Sequence, residues 1–168
     1  MKQKKVKTYV LTVSQIFPKK HRSEGQKTKF VESIREKIKL HTIRMNYELW
    51  AKRFDEIKKG NAILSVRVWE GKPYNSKQIK VFDLNHTDGI GVEKLDLTPL
   101  GFFVDEIEND LTVSDLAKND GLSKPDFSDW FNGSISIDMP PKAIIHFSHF
   151  RYKKEIKENE SFLKLNNE

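Results

Sequence analysis

Residues 62–69, Ala-Ile-Leu-Ser-Val-Arg-Val-Trp, alternate without a break. Successive side chains of an extended segment point to opposite faces, so Ala62, Leu64, Val66 and Val68 share one side of a strand. Ile63, Ser65, Arg67 and Trp69 share the other. A strand with one apolar face must bury it under a second layer, and this constrains the rest of the chain more than any other feature. Residues 6–17, rich in β-branched and aromatic types, read as another strand. Residues 77–84 follow the turn Gly71-Lys72-Pro73, Asp88-Gly89 marks a further turn, and strands are predicted over 102–107 and 142–152.

Helical spacing is clearest in two places. Phe30, Val31, Ile34 and Ile38 fall on one face of a helix over 28–38, and Tyr47, Trp50, Ala51, Phe54 and Ile57 on one face of a helix over 47–59, with Gly60 as its stop. Residues 112–131 read as two short helices broken around 121–125, the first capped by Ser114 and the second by Ser123 or Asp126. Strands of uneven spacing with few helices between them predict an α+β fold built on a small barrel, not a βαβ sheet. At 168 residues the chain suits a single domain, placed at 1–152, with a charged C-terminal tail over 153–168.

Composition excludes whole classes of chemistry. The chain has no cysteine, which removes disulfides, thiolate metal sites and cysteine nucleophiles. No apolar run approaches the length of a membrane span, and the basic segment 1–7 is not followed by the apolar core of a signal peptide, so no membrane partner and a cytoplasmic location are expected. The net charge of +6 is unevenly spread: residues 1–44 carry thirteen Lys or Arg against three Glu, whereas 95–132 carry nine Asp or Glu against two Lys. Such a dipolar chain can draw a polyanion to one face, although solvating lysines give the same count.

The segment 39–44, Lys-Leu-His-Thr-Ile-Arg, spends most of its positions on groups that donate hydrogen bonds or bind anions. In a regular strand Thr42 and Arg44 point one way and Lys39, His41 and Ile43 the other. Lys39 and Thr42 can share a pocket only if Lys39 lies in a loop or bulge at the strand start. A lysine desolvated beside arginine can serve as base or nucleophile; the same residues also suit a surface strand beside a basic loop. Arg67, Trp69 and Tyr74, with Lys72 and Lys77, combine stacking faces with cations as single-stranded nucleic acid requires. Trp69 packed under a helix is the competing reading.

Three further constellations carry less. His146 and His149 lie three apart on a strand and face opposite ways, so they do not converge on a metal even with His41 or His86 nearby, and no metal site is expected. Asp105, Glu106, Glu108 and Asp110 read as a solvated acidic loop. Gly89-Ile90-Gly91 lacks the lysine and helix start of a phosphate loop.

Several motifs in order extend the pattern: Ile16-Phe17-Pro18, Lys39-x-His41-Thr42-Ile43-Arg44, Tyr47-x-x-Trp50, Gly60-Asn61-Ala62 opening a strand to Arg67-x-Trp69, Gly71-Lys72-Pro73-Tyr74, and Asp115 through Gly121. With the closing strand at 143–152, they make the chain resemble the ASCH domain family, over roughly residues 9–152. The resemblance implies a PUA-like small β-barrel with covering helices and a cleft lined by the K-x-x-T-x-R strand. It implies RNA or a modified nucleoside as ligand. Arg44, Arg67, Trp69, Tyr74, Lys77 and His41 are expected as binding residues, and no cofactor is expected. Some small members hydrolyse the acetyl amide of N4-acetylcytidine with a lysine, a threonine and a glutamate. By position these fall on Lys39, Thr42 and Asp120, an aspartate standing for the glutamate. Nucleic-acid or nucleoside binding is the expected function. An amidohydrolase acting on an N-acylated nucleoside is the first alternative, and a protein-interaction module without a small ligand is the second.

Overall fold

The computed structural model describes residues 6–153. In chain order these form β1 (Lys7–Thr12), α1 (Phe30–Arg35), β2 (His41–Arg44), α2 (Tyr47–Lys58), β3 (Ala62–Trp69), β4 (Gln78–Leu84), β5 (Gly91–Thr98), β6 (Gly101–Val104), β7 (Ile107–Asn109), α3 (Val113–Asn119), α4 (Lys124–Phe131) and β8 (Lys142–His146). The fold is α+β, with the described strands in two sheets ordered β1-β3-β4 and β2-β8-β5-β6-β7. β1 runs parallel to β3, and the other pairings are antiparallel.

The alternating octet is β3, at the centre of the smaller sheet. Ala62, Leu64, Val66 and Val68 are buried as the pattern predicts, and Ser65 is buried with them. A register shift opposite Val66 and Arg67 leaves Val81 as an extra, unpaired residue in β4, a bulge in that strand. β8 is buried along its length: Ala143 and Ile145 pack with Leu11, Phe30, Phe54 and Leu64, while Ile144 packs with Ile43, Leu95, Val104, Leu116 and Phe127. It therefore contributes to the core on both faces, and each large aliphatic side chain so buried contributes roughly 1.5–3 kcal/mol. α2 places Trp50, Phe54 and Ile57 against this core and touches β3, β5 and β8, which ties the two sheets together. Its N-terminus is capped by the Asn46 side chain, which accepts the Leu49 N–H at 3.2 Å.

The structure corrects several sequence boundaries. The first strand ends at Thr12, the first helix spans only Phe30–Arg35, and the last strand stops at His146. The run predicted over 102–107 is the hairpin β6–β7, turned by Asp105 and Glu106, both at positive φ. α3 is capped by Thr112 rather than Ser114: the Thr112 side chain accepts the Asp115 N–H at 3.2 Å, and the Asp115 carboxylate takes the Thr112 N–H at 2.9 Å. Ser123 caps α4. Gly91 opens β5, an inner strand that sequence reading left unassigned. From residue 154 on, the charged tail expected over 153–168 lies outside the described residues.

Candidate functional site

Lys39 lies in the link between α1 and β2, not in the strand, so the condition for Lys39 and Thr42 to share a pocket is met. Two hydrogen bonds fold the link back: the Ile38 and Lys39 N–H groups both donate to the Ser33 carbonyl, at 2.9 and 3.0 Å. The Leu40 N–H then donates to the Asn119 carbonyl at 2.7 Å, which fastens the link to the end of α3. That end is a Schellman motif. Leu122 N–H donates to the Ala117 carbonyl at 2.9 Å and Gly121 N–H to that of Lys118 at 3.1 Å, with Gly121 left-handed at φ 72°. A Cβ at Gly121 would stand 3.0 Å from the Lys39 Cβ, so glycine allows the turn to lie against the lysine.

This geometry joins two residues 81 apart in sequence. Lys39 Nζ donates to the Asp120 carbonyl at 2.6 Å and to Asp120 Oδ1 at 2.8 Å, and lies 4.2 Å from the centroid of the Phe30 ring. The cation thus completes an orphan carbonyl at a helix C-terminus as well as a carboxylate. Lys39 is 2% exposed and Asp120 3%. The Asp120 carboxylate does reach the lysine. Burial pulls the Lys39 ammonium below its ordinary pKa, against the Asp120 charge. Burial alone would raise the Asp120 carboxyl, but Lys39 and His41 hold it below the usual carboxylate range.

The pair borders a cavity of about 350 Å³ whose lining includes Thr12, Thr42, Arg44, Trp69, Tyr74 and Trp130. Arg44 is fixed in place: it donates through one nitrogen to Thr42 Oγ1 at 2.8 Å and to the Ile43 carbonyl at 2.9 Å, and through the other to the Thr12 carbonyl at 2.7 Å. Because Arg44 fills a lone pair of the Thr42 hydroxyl, the hydroxyl proton is left for donation. Tyr74 is 88% exposed at the mouth, its ring centroid 5.3 Å from that of Trp69. Trp130, on α4, meets Phe30 edge-on at 5.5 Å. The basic loop that begins at Pro18 is anchored to the same helix, with His21 stacked on Phe17 and its Nε2 3.0 Å from the Asp126 carbonyl.

The structure brings together Lys39, Thr42, Arg44, Trp69, Tyr74 and Asp120 of the residues singled out from sequence. It does not bring in three others. Arg67 donates to Ser65 Oγ at 3.2 Å outside the cavity lining, and Lys77 is exposed away from it. His41 is wholly buried, so the expectation that it touches a ligand is corrected: as the first residue of β2 it faces the interior.

Behind the cleft runs a polar chain that sequence reading missed. His41 Nδ1 stands 3.5 Å from Asp120 Oδ1, longer than a regular hydrogen bond, and its Nε2 lies 2.8 Å from the Tyr152 hydroxyl. Asn119 Nδ2 donates to the same hydroxyl at 2.8 Å. The Tyr152 N–H donates to Glu93 Oε2 at 2.9 Å, and that oxygen lies 2.6 Å from His146 Nε2. Asn119 and Tyr152 fall inside segments the sequence did flag, but Glu93, on the unassigned β5, carried no signal. Among the described residues, no three His, Asp or Glu side chains are grouped to hold a metal ion, and no helix is long and apolar enough to cross a membrane.

Compared with known proteins, the chain matches no family model, no curated protein and no solved structure.

Proposed function

We propose that the cleft binds a planar, nucleoside-sized ligand: a modified nucleoside, free or as one base of an RNA strand. The observation that carries this reading is the convergence of Lys39, Thr42, Arg44 and Asp120 with Trp69, Tyr74 and Trp130 on one cavity of about 350 Å³. Small-molecule sites combine such a volume with aromatic walls and a few fixed polar groups. Trp69 and Tyr74 supply stacking faces, and the Thr42 hydroxyl and Lys39 supply donors to a base carbonyl. The two sheets with helices packed on them are, in this reading, a PUA-like barrel of the ASCH type.

The contact between Lys39 and Asp120 favours a second reading, hydrolysis of an N-acyl amide on such a nucleoside. Asp120 would take a proton from the attacking water while Lys39 and the Thr42 hydroxyl donate to the developing oxyanion. The proton then passes from Asp120 to the leaving amine as the C–N bond breaks.

Trp69 and Trp130 line the cavity, so intrinsic fluorescence reports its occupancy. Titration with N4-acetylcytidine, cytidine and a short single-stranded RNA is expected to give saturable quenching with at least one of them. Trp69→Ala should weaken that binding about fivefold or more, the low end of base–aromatic stacking. The absence of saturable quenching with all three up to millimolar concentration refutes the reading. Release of cytidine from N4-acetylcytidine, absent in Lys39→Ala, separates hydrolase from binder.

A further inference from the structure

The chain behind the cleft has its protons assigned by counting donors. The Tyr152 hydroxyl accepts from Asn119 Nδ2, and among the described residues His41 Nε2 is the one acceptor beside it, so its single hydrogen would be left buried and unpaired unless it is donated to His41 Nε2. His41 Nε2 is then an acceptor, and the proton of the neutral ring sits on Nδ1. The opposite arrangement would turn a bare Nδ1 lone pair towards the Asp120 carboxylate 3.5 Å away. That carboxylate carries a charge beside Lys39, so the arrangement is repulsive. His146 shows the converse form. Its Nε2 lies 2.6 Å from Glu93, which also receives the Tyr152 and Lys153 N–H groups, so Nε2 carries the proton; Nδ1 of neither ring makes a regular hydrogen bond, and that of His41 faces the Asp120 carboxylate at 3.5 Å. Two adjacent rings, with centroids 5.7 Å apart, thus hold opposite tautomers.

We propose that His41 is a positioning residue for the Lys39–Asp120 pair: locked as the Nδ1–H tautomer by the Tyr152 hydroxyl, it presents that N–H to Asp120 and holds the carboxylate in its aim at Lys39. At 3.5 Å the contact is longer than a regular hydrogen bond, so it orients the carboxylate by charge and dipole. Tyr152 is in turn fixed at both ends, by Asn119 at the hydroxyl and by Glu93 at the backbone. The cleft's orientation thereby depends on β5 and on the segment after β8, neither of which lines it. The inference rests on the reading of Lys39 and Asp120 as the working pair of the cleft.

Long-range proton–nitrogen NMR of the full chain, free of ligand, reads the tautomer of His41 directly. The expected result is a protonated Nδ1 and a bare Nε2. A side-chain amide at position 41 puts a donor near the place of Nδ1, whereas leucine of similar bulk has none. The pH midpoint of Lys39 Nζ should therefore stay near its natural value in His41→Asn and move by about half a unit or more in His41→Leu. Neither measurement needs a ligand, so their failure leaves nucleoside binding untouched, and failed ligand titrations do not alter the tautomer. If a variant does not fold, the tautomer of the natural chain still decides. An Nε2–H form of His41 in the natural chain, or the same Lys39 midpoint in both variants, overturns the proposal.

Discussion

Lys39 is an ammonium held almost wholly out of water by one carboxylate, one carbonyl and the face of Phe30. A buried ion pair gains little over an apolar pair, but losing one partner leaves an uncompensated charge. Lys39→Met should therefore cost about 3–5 kcal/mol. Lys39→Met combined with Asp120→Asn should cost less than the two single changes together by at least about 1 kcal/mol. Urea denaturation of the four proteins measures this, and strictly additive losses would show that the pair is not coupled. At this scale the sequence was partly legible. Lys39, Thr42, Arg44 and Asp120 stand out because few short segments concentrate such groups, and motif order linked Asp120 to the rest. His41 was misread as a ligand contact because strand alternation tells which residues share a face, not which face meets the core.

α3 delivers Asp120 and is shaped at its two ends by different devices. The Thr112 capping box starts it, and the Schellman turn at Gly121 stops it against Lys39. Thr112→Ala should cost about 1 kcal/mol of stability and leave ligand quenching intact. Gly121→Ala should cost about 1–2 kcal/mol for the left-handed backbone and should also disturb the cleft, because the new methyl presses on Lys39. Thermal melts paired with nucleoside titrations test this; equal effects of both changes on binding would contradict it. The alternating β3 and the apolar stripe of α2 were legible because a single periodicity governs each. β5 was not, since Glu93, Lys94 and Asp96 interrupt its alternation, and Glu93 turns inward to serve His146 and Tyr152. Thr112 was passed over as a cap because Ser114, two residues on, is an equally good capping type.

Over the whole molecule, the two buried histidines make stability sensitive to mild acid. Burial lowers the pKa of His146 to about 4 and lowers that of His41 as well, both from an ordinary 6.5. The unfolded chain therefore takes up protons that the folded one refuses. Stability is full above pH 6.5 and falls as the pH drops towards 4, by about 3 kcal/mol from His146 alone. His146→Gln, which keeps a donor towards Glu93, should make the decline of unfolding free energy over that window shallower by up to one proton. An unchanged slope would rule out His146 as its source. The strand order has a consequence for how the molecule assembles. β8 lies between β2 and β5, yet it pairs with a β2 that precedes it by roughly a hundred residues. On a ribosome, β2 and β5 emerge long before the strand that joins them. Until β8 arrives, both carry open edges, and the walls of the cleft have no common frame, so the cleft is among the last features of the fold to exist.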